Sequence, residues 1–196
     1  MQLQVTEVIS GSASIFSISS MGIYFINLTK GKSIPNPATW ITWLVIGLIN
    51  LLTYFYLANG NFLKALPLLF VVGGIILVAV YSSVNGKFAR LSTLDMICLA
   101  VALVVGVFWQ ISGNPQTANL LLQIVYVISF IPTVNGLRKK EIFESSPPWI
   151  LAVIAYSLMI VGIIMSWGQS SWIELVHPIF NGILGNGLVA YYSLIK

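Results

Sequence analysis

Seven apolar stretches, at 8–28, 40–57, 64–82, 93–111, 118–135, 149–167 and 173–194, follow one another along this chain with short connectors between them. Each comes close to the roughly 20 residues that a helix needs to cross the hydrocarbon core of a bilayer. Their apolar residues run continuously instead of alternating, which excludes membrane strands. Composition agrees: 58% of residues are hydrophobic, 7% are charged and mean hydropathy is +0.94. A water-soluble domain carries roughly a quarter charged residues, so lipid is the solvent for most of this chain. No connector is long enough to fold separately. The expected fold is therefore all-α, a polytopic membrane protein of one transmembrane domain over 1–196.

The apolar pattern also repeats. At an offset of 111, Pro67, Gly74, Ala79, Tyr81 and Ser82 coincide with Pro178, Gly185, Ala190, Tyr192 and Ser193. A second echo joins Lys30…Trp40-Ile41 to Lys140…Trp149-Ile150, at 110 and then 109. The seven spans thus group as three, one and three: a triple-helix bundle over 1–82, a linker helix over 83–117 and a second bundle over 118–196. Parallel duplications of this kind occur among membrane transporters.

Charge sets the expected orientation. With alternating helices, Lys30, Lys32, Lys87, Arg90, Arg138, Lys139, Lys140 and Lys196 fall on one side and Lys64 alone on the other. The side rich in Lys and Arg faces the cytoplasm, so the N-terminus is expected outside and the C-terminus inside. Trp40, Trp149, Tyr24, Tyr81, Tyr191 and Tyr192 then fall at inner helix ends, and Trp109, Trp167, Trp172, Tyr54 and Tyr56 at outer ends, as an aromatic belt would. The net charge of +4 reads as this orientation signal, and nothing suggests nucleic acid. The first apolar stretch has no basic segment before it, so no cleaved signal peptide is expected. A bacterial-type plasma (inner) membrane fits best, with a eukaryotic organelle as the other option.

Seven helices in a 3+1+3 repeat with this orientation resemble the SWEET and PQ-loop superfamily of small transporters. The second repeat carries Pro132-Thr133 where the family has Pro-Gln, then the basic loop Arg138-Lys139-Lys140 and the helix start Pro147-Pro148-Trp149. In the first repeat Met21-Gly22 occupies the Pro-Gln position, followed by Lys30 to Pro37 and Trp40. The resemblance implies a solute site between the two bundles near mid-membrane, opened to alternate sides as helices bend at prolines. It also implies that Asn181 lines that site, since an asparagine of the third helix does so in SWEET transporters.

The residues themselves support such a site. A proline in a membrane helix frees a backbone carbonyl and kinks the axis, so Pro132, Pro67 and Pro178 are either gating hinges or packing kinks. Glycines at 73, 74, 182, 185 and 187 permit close helix approach. Polar residues within spans need partners in lipid. Asn119, Gln123, Tyr126, Ser129 and Thr133 recur at spacings of 3 and 4, forming a stripe along one helical face that lines either a cavity or a packed interior. Asn181, Gln123, Tyr126, Asn50 and Tyr156 are the candidate solute-binding residues; interhelical hydrogen bonding is the alternative for each. Glu174 and His177, three apart, form either a proton-coupling pair or an interfacial pair. The serines of the first span bond cheaply to their own helix. Asp95 suits a helix-capping role and Cys98 a packing role.

No zinc-protease, nucleophile-elbow or phosphate-loop motif occurs, so the chain is not expected to be an enzyme. Metal and cofactor sites are likewise not expected from one histidine and one cysteine. The last span's sole lysine is the terminal Lys196, which argues against a retinal Schiff base. The functional expectation is a carrier of a small polar solute working by alternating access. The alternative is a non-transporting membrane receptor or accessory subunit on the same helices. Lipid and solute are the expected partners, with a homo-oligomer left open.

Overall fold

The computed structural model describes residues 2–35, 37–85 and 93–195. Lys87, Arg90 and Lys196, and the side chains of Asp95 and Cys98, lie outside the described residues. The chain is all-helical: α1 (Gln2–Thr29), α2 (Pro37–Leu57), α3 (Phe62–Val84), α4 (Thr93–Ser112), α5 (Pro115–Arg138) and α6 (Ser146–Met165). A seventh helix over 173–194 is built of three consecutive segments: α7 (Ile173–His177), a π-helical stretch (Pro178–Gly185) and α8 (Asn186–Leu194). A single 3₁₀ turn, Trp167–Gln169, precedes it.

Local chemistry sets the helix ends. Asn61 and Asn114 cap α3 and α5, their side-chain oxygens accepting from Lys64 N at 3.2 Å and Thr117 N at 3.1 Å. Pro115 and the Pro147-Pro148 pair occupy the first turns of α5 and α6, where a missing N–H costs nothing. Tight turns use left-handed residues: Gly31 (φ 68°), Asn59 and Gly60 (φ 54° and 71°) and Gly113 (φ 62°).

Among the described residues, five helices are long and apolar enough to cross a membrane: Val5–Thr29, Thr39–Leu57, Phe62–Val84, Pro115–Arg138 and Ser146–Met165. The protein is an integral, multi-pass membrane protein in type. Its surface is correspondingly inverted from that of a soluble protein. Ile15, Leu52, Leu77, Val104 and Ile124 are exposed, while Asn50, Asn119, Glu174 and His177 are fully buried. In lipid, apolar side chains face out at no cost and polar ones turn inward to find partners.

Packing follows the sequence duplication. Helix α3 lies against both α1 and α2, and the seventh helix lies against both α5 and α6. The two triplets meet where α1 packs on α6 and α2 packs on α5, pairs that exchange under the repeat. Helix α4 packs on α5 and α2. Glycines bring these helices together at three places. A Cβ on Gly74 would be driven into Met21, one on Gly182 into Tyr156 and one on Gly185 into Phe130. Gly73 and Gly187 face open space, so only part of the expected glycine set serves close approach.

Two sequence expectations change. Trp40, Trp149, Tyr24 and Tyr54 are buried rather than placed in an aromatic belt, whereas Trp167, Trp172, Tyr56 and Tyr191 are exposed. The serines of α1 divide: Ser12 and Ser14 bond back to Val8 O and Ser10 O, but Ser20 Oγ donates across to Pro148 O at 2.8 Å. Position along a span sets depth in the membrane, but only packing decides which side of the helix meets lipid.

Candidate site between the two helix triplets

The polar stripe on α5 turns inward, with Asn119, Gln123, Tyr126, Ser129 and Thr133 all buried. Opposite it, α2 contributes Asn50 and Thr53. Asn119 Nδ2 donates to Asn50 Oδ1 at 2.9 Å and to Thr53 Oγ1 at 3.2 Å. Gln123 Nε2 donates to Asn50 Oδ1 at 3.1 Å and to the backbone carbonyl of Asn119 at 3.0 Å. The seventh helix closes the cluster: His177 Nδ1 lies 3.0 Å from Gln123 Oε1. Its Nε2 lies 3.4 Å from Asn181 Nδ2 and 3.5 Å from Tyr156 Oη. The rings of Tyr126 and Tyr156 flank the imidazole at 5.3 and 5.6 Å between centroids. All five candidate binding residues, with His177, therefore belong to one buried assembly.

Beside this cluster lies a narrow cavity of about 40 Å³. Its walls are aromatic, aliphatic and amide: Trp40, Trp43, Trp149, Phe130, Ile75 and Asn181 are among them. Among the described residues no charged side chain lines it. Trp43 donates its indole N–H to Ser129 Oγ at 2.6 Å, and Ser129 in turn donates to Tyr126 O at 2.7 Å, which fixes the wall. Tyr24 stands between Trp40 and Trp149, 4.6 and 5.7 Å away, and donates to Glu144 Oε1 at 2.8 Å.

Contacts between the triplets occur at both ends. At one end Lys64 Nζ lies 3.5 Å from Glu174 Oε2 and donates to Ser170 Oγ at 2.7 Å. Glu174 Oε1 also accepts from Ser171 N at 2.8 Å. Ser170 borders an open polar bowl of about 730 Å³ that includes Asn59, Asn114, Gln116 and Ser171. At the other end, the loops after α1 and α5 bond to each other. Ile34 N donates to Phe143 O at 2.8 Å and Ser145 N to Ser33 Oγ at 3.2 Å.

Glu174 and His177 do not form the pair that their spacing suggests. Glu174 is engaged by Lys64, and the polar partners of His177 are amides and a tyrosine. The three prolines also differ. Helices α3 and α5 continue as α-helix through Pro67 and Pro132, while Pro178 opens the π-helical segment. Runs of i→i+5 bonding are rare and concentrate at functional sites. Here the segment carries Asn181, and Asn186 Nδ2 donates to the Asn181 carbonyl at 2.7 Å.

Sequence reasoning missed Lys64, Trp43 and Glu144 as members of this region. Lys64 had a usable signal, being the single basic residue on its side. Glu144 had none, because a carboxylate in a basic loop looks solvated until Tyr24 meets it. Among the described residues no three of His, Cys, Asp and Glu come together as metal ligands would. No family model, curated protein or solved structure matches the chain.

Proposed function

We propose that this protein is a seven-helix carrier, N-terminus outside and C-terminus cytoplasmic, that moves a small polar solute by alternating access between its two helix triplets. One observation carries the reading: a cavity of aromatic, aliphatic and amide side chains lies between the triplets, and polar contacts join the triplets at both ends of the bundle. A carrier needs ends that open separately, and the polar bonds at each end of the bundle can break independently. Asn181, Tyr126 and Tyr156 contact the solute in this reading, and Asn50 and Gln123 support them from the buried network. Pro178 and its π-helical segment are the hinge that the backbone favours. The 3+1+3 arrangement and the degenerate Pro132-Thr133 motif favour a divergent relative of the SWEET and PQ-loop transporters, in a plasma (inner) membrane.

The test is uptake of sugars and amino acids by the purified protein in liposomes, with Asn181→Ala beside the wild type. Saturable flux lost in the variant supports the carrier. A second reading, a non-transporting receptor or accessory subunit, is favoured by the size of the cavity. About 40 Å³ has room for little more than one water. Folded protein without flux for any solute would select that reading.

A further inference from the structure

We infer that His177 is a positioning residue, held in its neutral Nδ1–H form, that locks the Asn181 amide with its nitrogen toward the imidazole and its carbonyl oxygen offered to the cavity. The backbone carbonyl of Asn119 is a fixed point, because it can only accept. Gln123 lies 3.0 Å from it and must present its amide nitrogen there. The same nitrogen reaches Asn50 Oδ1 at 3.1 Å, so both Gln123 N–H groups are used. The atom that Gln123 turns toward His177 is therefore Oε1, an acceptor, 3.0 Å from Nδ1. Nδ1 must carry the proton. The Asn50 amide nitrogen, 3.3 Å from Nδ1, is a second donor and adds no hydrogen bond to it.

In a neutral imidazole with a proton on Nδ1, Nε2 is a bare acceptor. Two groups face it, Asn181 and Tyr156. To meet a bare nitrogen, Asn181 must present Nδ2, which also donates to Tyr156 Oη at 3.4 Å. The two acceptors lie 3.5 Å from each other, so one Asn181 N–H is directed between them. Its Oδ1 accepts no hydrogen bond among the described residues, and Asn181 lines the cavity. A one-way chain of donors thus runs from Asn181 at the wall of the site through His177 and Gln123 to the α5 backbone carbonyl of Asn119.

The chemical consequence is a selectivity rule. The group that a solute places against the Asn181 carbonyl oxygen must be a hydrogen-bond donor, a hydroxyl or an N–H. An ether or carbonyl oxygen there would face the Asn181 carbonyl, leaving two acceptors unpaired in a buried site. Among the described residues no charged side chain lines the cavity to offset that cost. This rule rests on the carrier reading, but the state of His177 does not, and it can be read with no solute present.

His177 is the chain's single histidine, so protein labelled with ¹⁵N-histidine gives one imidazole. At neutral pH in detergent micelles, Nδ1 is expected to resonate as a protonated nitrogen and Nε2 as an unprotonated one. The opposite tautomer, or an imidazolium, overturns the inference. Two variants test the chain link by link. Asn181→Asp removes the donor facing Nε2 and is expected to shift Nε2 to its protonated position. Gln123→Leu removes the acceptor facing Nδ1 and is expected to abolish the tautomer preference. A spectrum unmoved by either change, in a folded variant, would sever that link and overturn the relay. Loss of all transport with these spectra intact would instead count against the carrier reading alone.

Discussion

The two helix triplets share a frame and differ in chemistry. Trp40 and Trp149, and Ile75 and Asn186, are repeat-related pairs, and both members of each line the cavity. Gly74 seats on Met21 in the first triplet as Gly185 seats on Phe130 in the second. The polar groups are not shared in this way. Tyr126, Tyr156, Asn181 and Asn186 all come from the second triplet, whereas the first supplies tryptophans and aliphatic side chains. Asn181 itself stands at the repeat position of Phe70. Duplication fixes where backbones lie, and one half can then specialise for recognition while the other keeps a smooth wall. The fully hydrogen-bonded cluster around Asn50 ties the specialised half to its neighbour through α2.

The largest expected effect comes from uncoupling the triplets at the Lys64 end. Lys64→Ala leaves Glu174 fully buried without its counter-charge, and loss of one partner of a buried pair costs about 3–5 kcal/mol. Thermal unfolding in detergent should show this loss. The double variant Lys64→Met with Glu174→Met should recover most of it, and no recovery would mean the pair is not what joins the halves there.

Next is the comparison of the two glycine seats. Gly185→Ala drives a methyl into the Phe130 ring, with overpacking worth about 1–3 kcal/mol. Gly74→Ala strikes Met21 at Cγ and Cβ, beside the backbone where the side chain cannot swing away, and should cost more. Equal losses in melting temperature would erase that distinction between the halves. Asn50→Leu should come close behind, since Asn119 and Gln123 each lose an acceptor, at about 1–3 kcal/mol for an unsatisfied buried group. The smallest change is expected at Gly73 and Gly187, where a Cβ meets nothing. Alanine there should be neutral or stabilise by up to about 1 kcal/mol through helix propensity. A clear loss would show that those faces carry contacts after all.

Much of this architecture is legible in the sequence, because lipid allows few solutions. Continuous apolar runs gave the helices, and Pro67 against Pro178 with Gly74 against Gly185 gave the duplication. The stripe from Asn119 to Thr133 correctly marked an interior face. What could not be read was rotation and partnership. Trp40 and Trp149 sit at the depth of a membrane belt yet turn inward, a choice made by the packing of α1 on α6. Glu174 took Lys64, far off in sequence, instead of His177, its neighbour on the helix. The π-helical stretch after Pro178 was also hidden, since proline marks a break in bonding without saying which pattern replaces it.

The central claim is that the ends of the cavity open in alternation, and interspin distances test it without knowledge of the solute. In a Cys98→Ala background, one spin-label pair replaces Phe62 and Trp172, both exposed at the Lys64 end. A second pair replaces Lys32 and Lys139, exposed at the other. The account predicts two populations in liposomes. The first pair widens where the second stays close, and a crosslink between Ser33→Cys and Ser145→Cys shifts the first pair to its wide state. Single, unchanging distances at both ends, with or without the crosslink, would contradict alternating access and leave a static membrane scaffold.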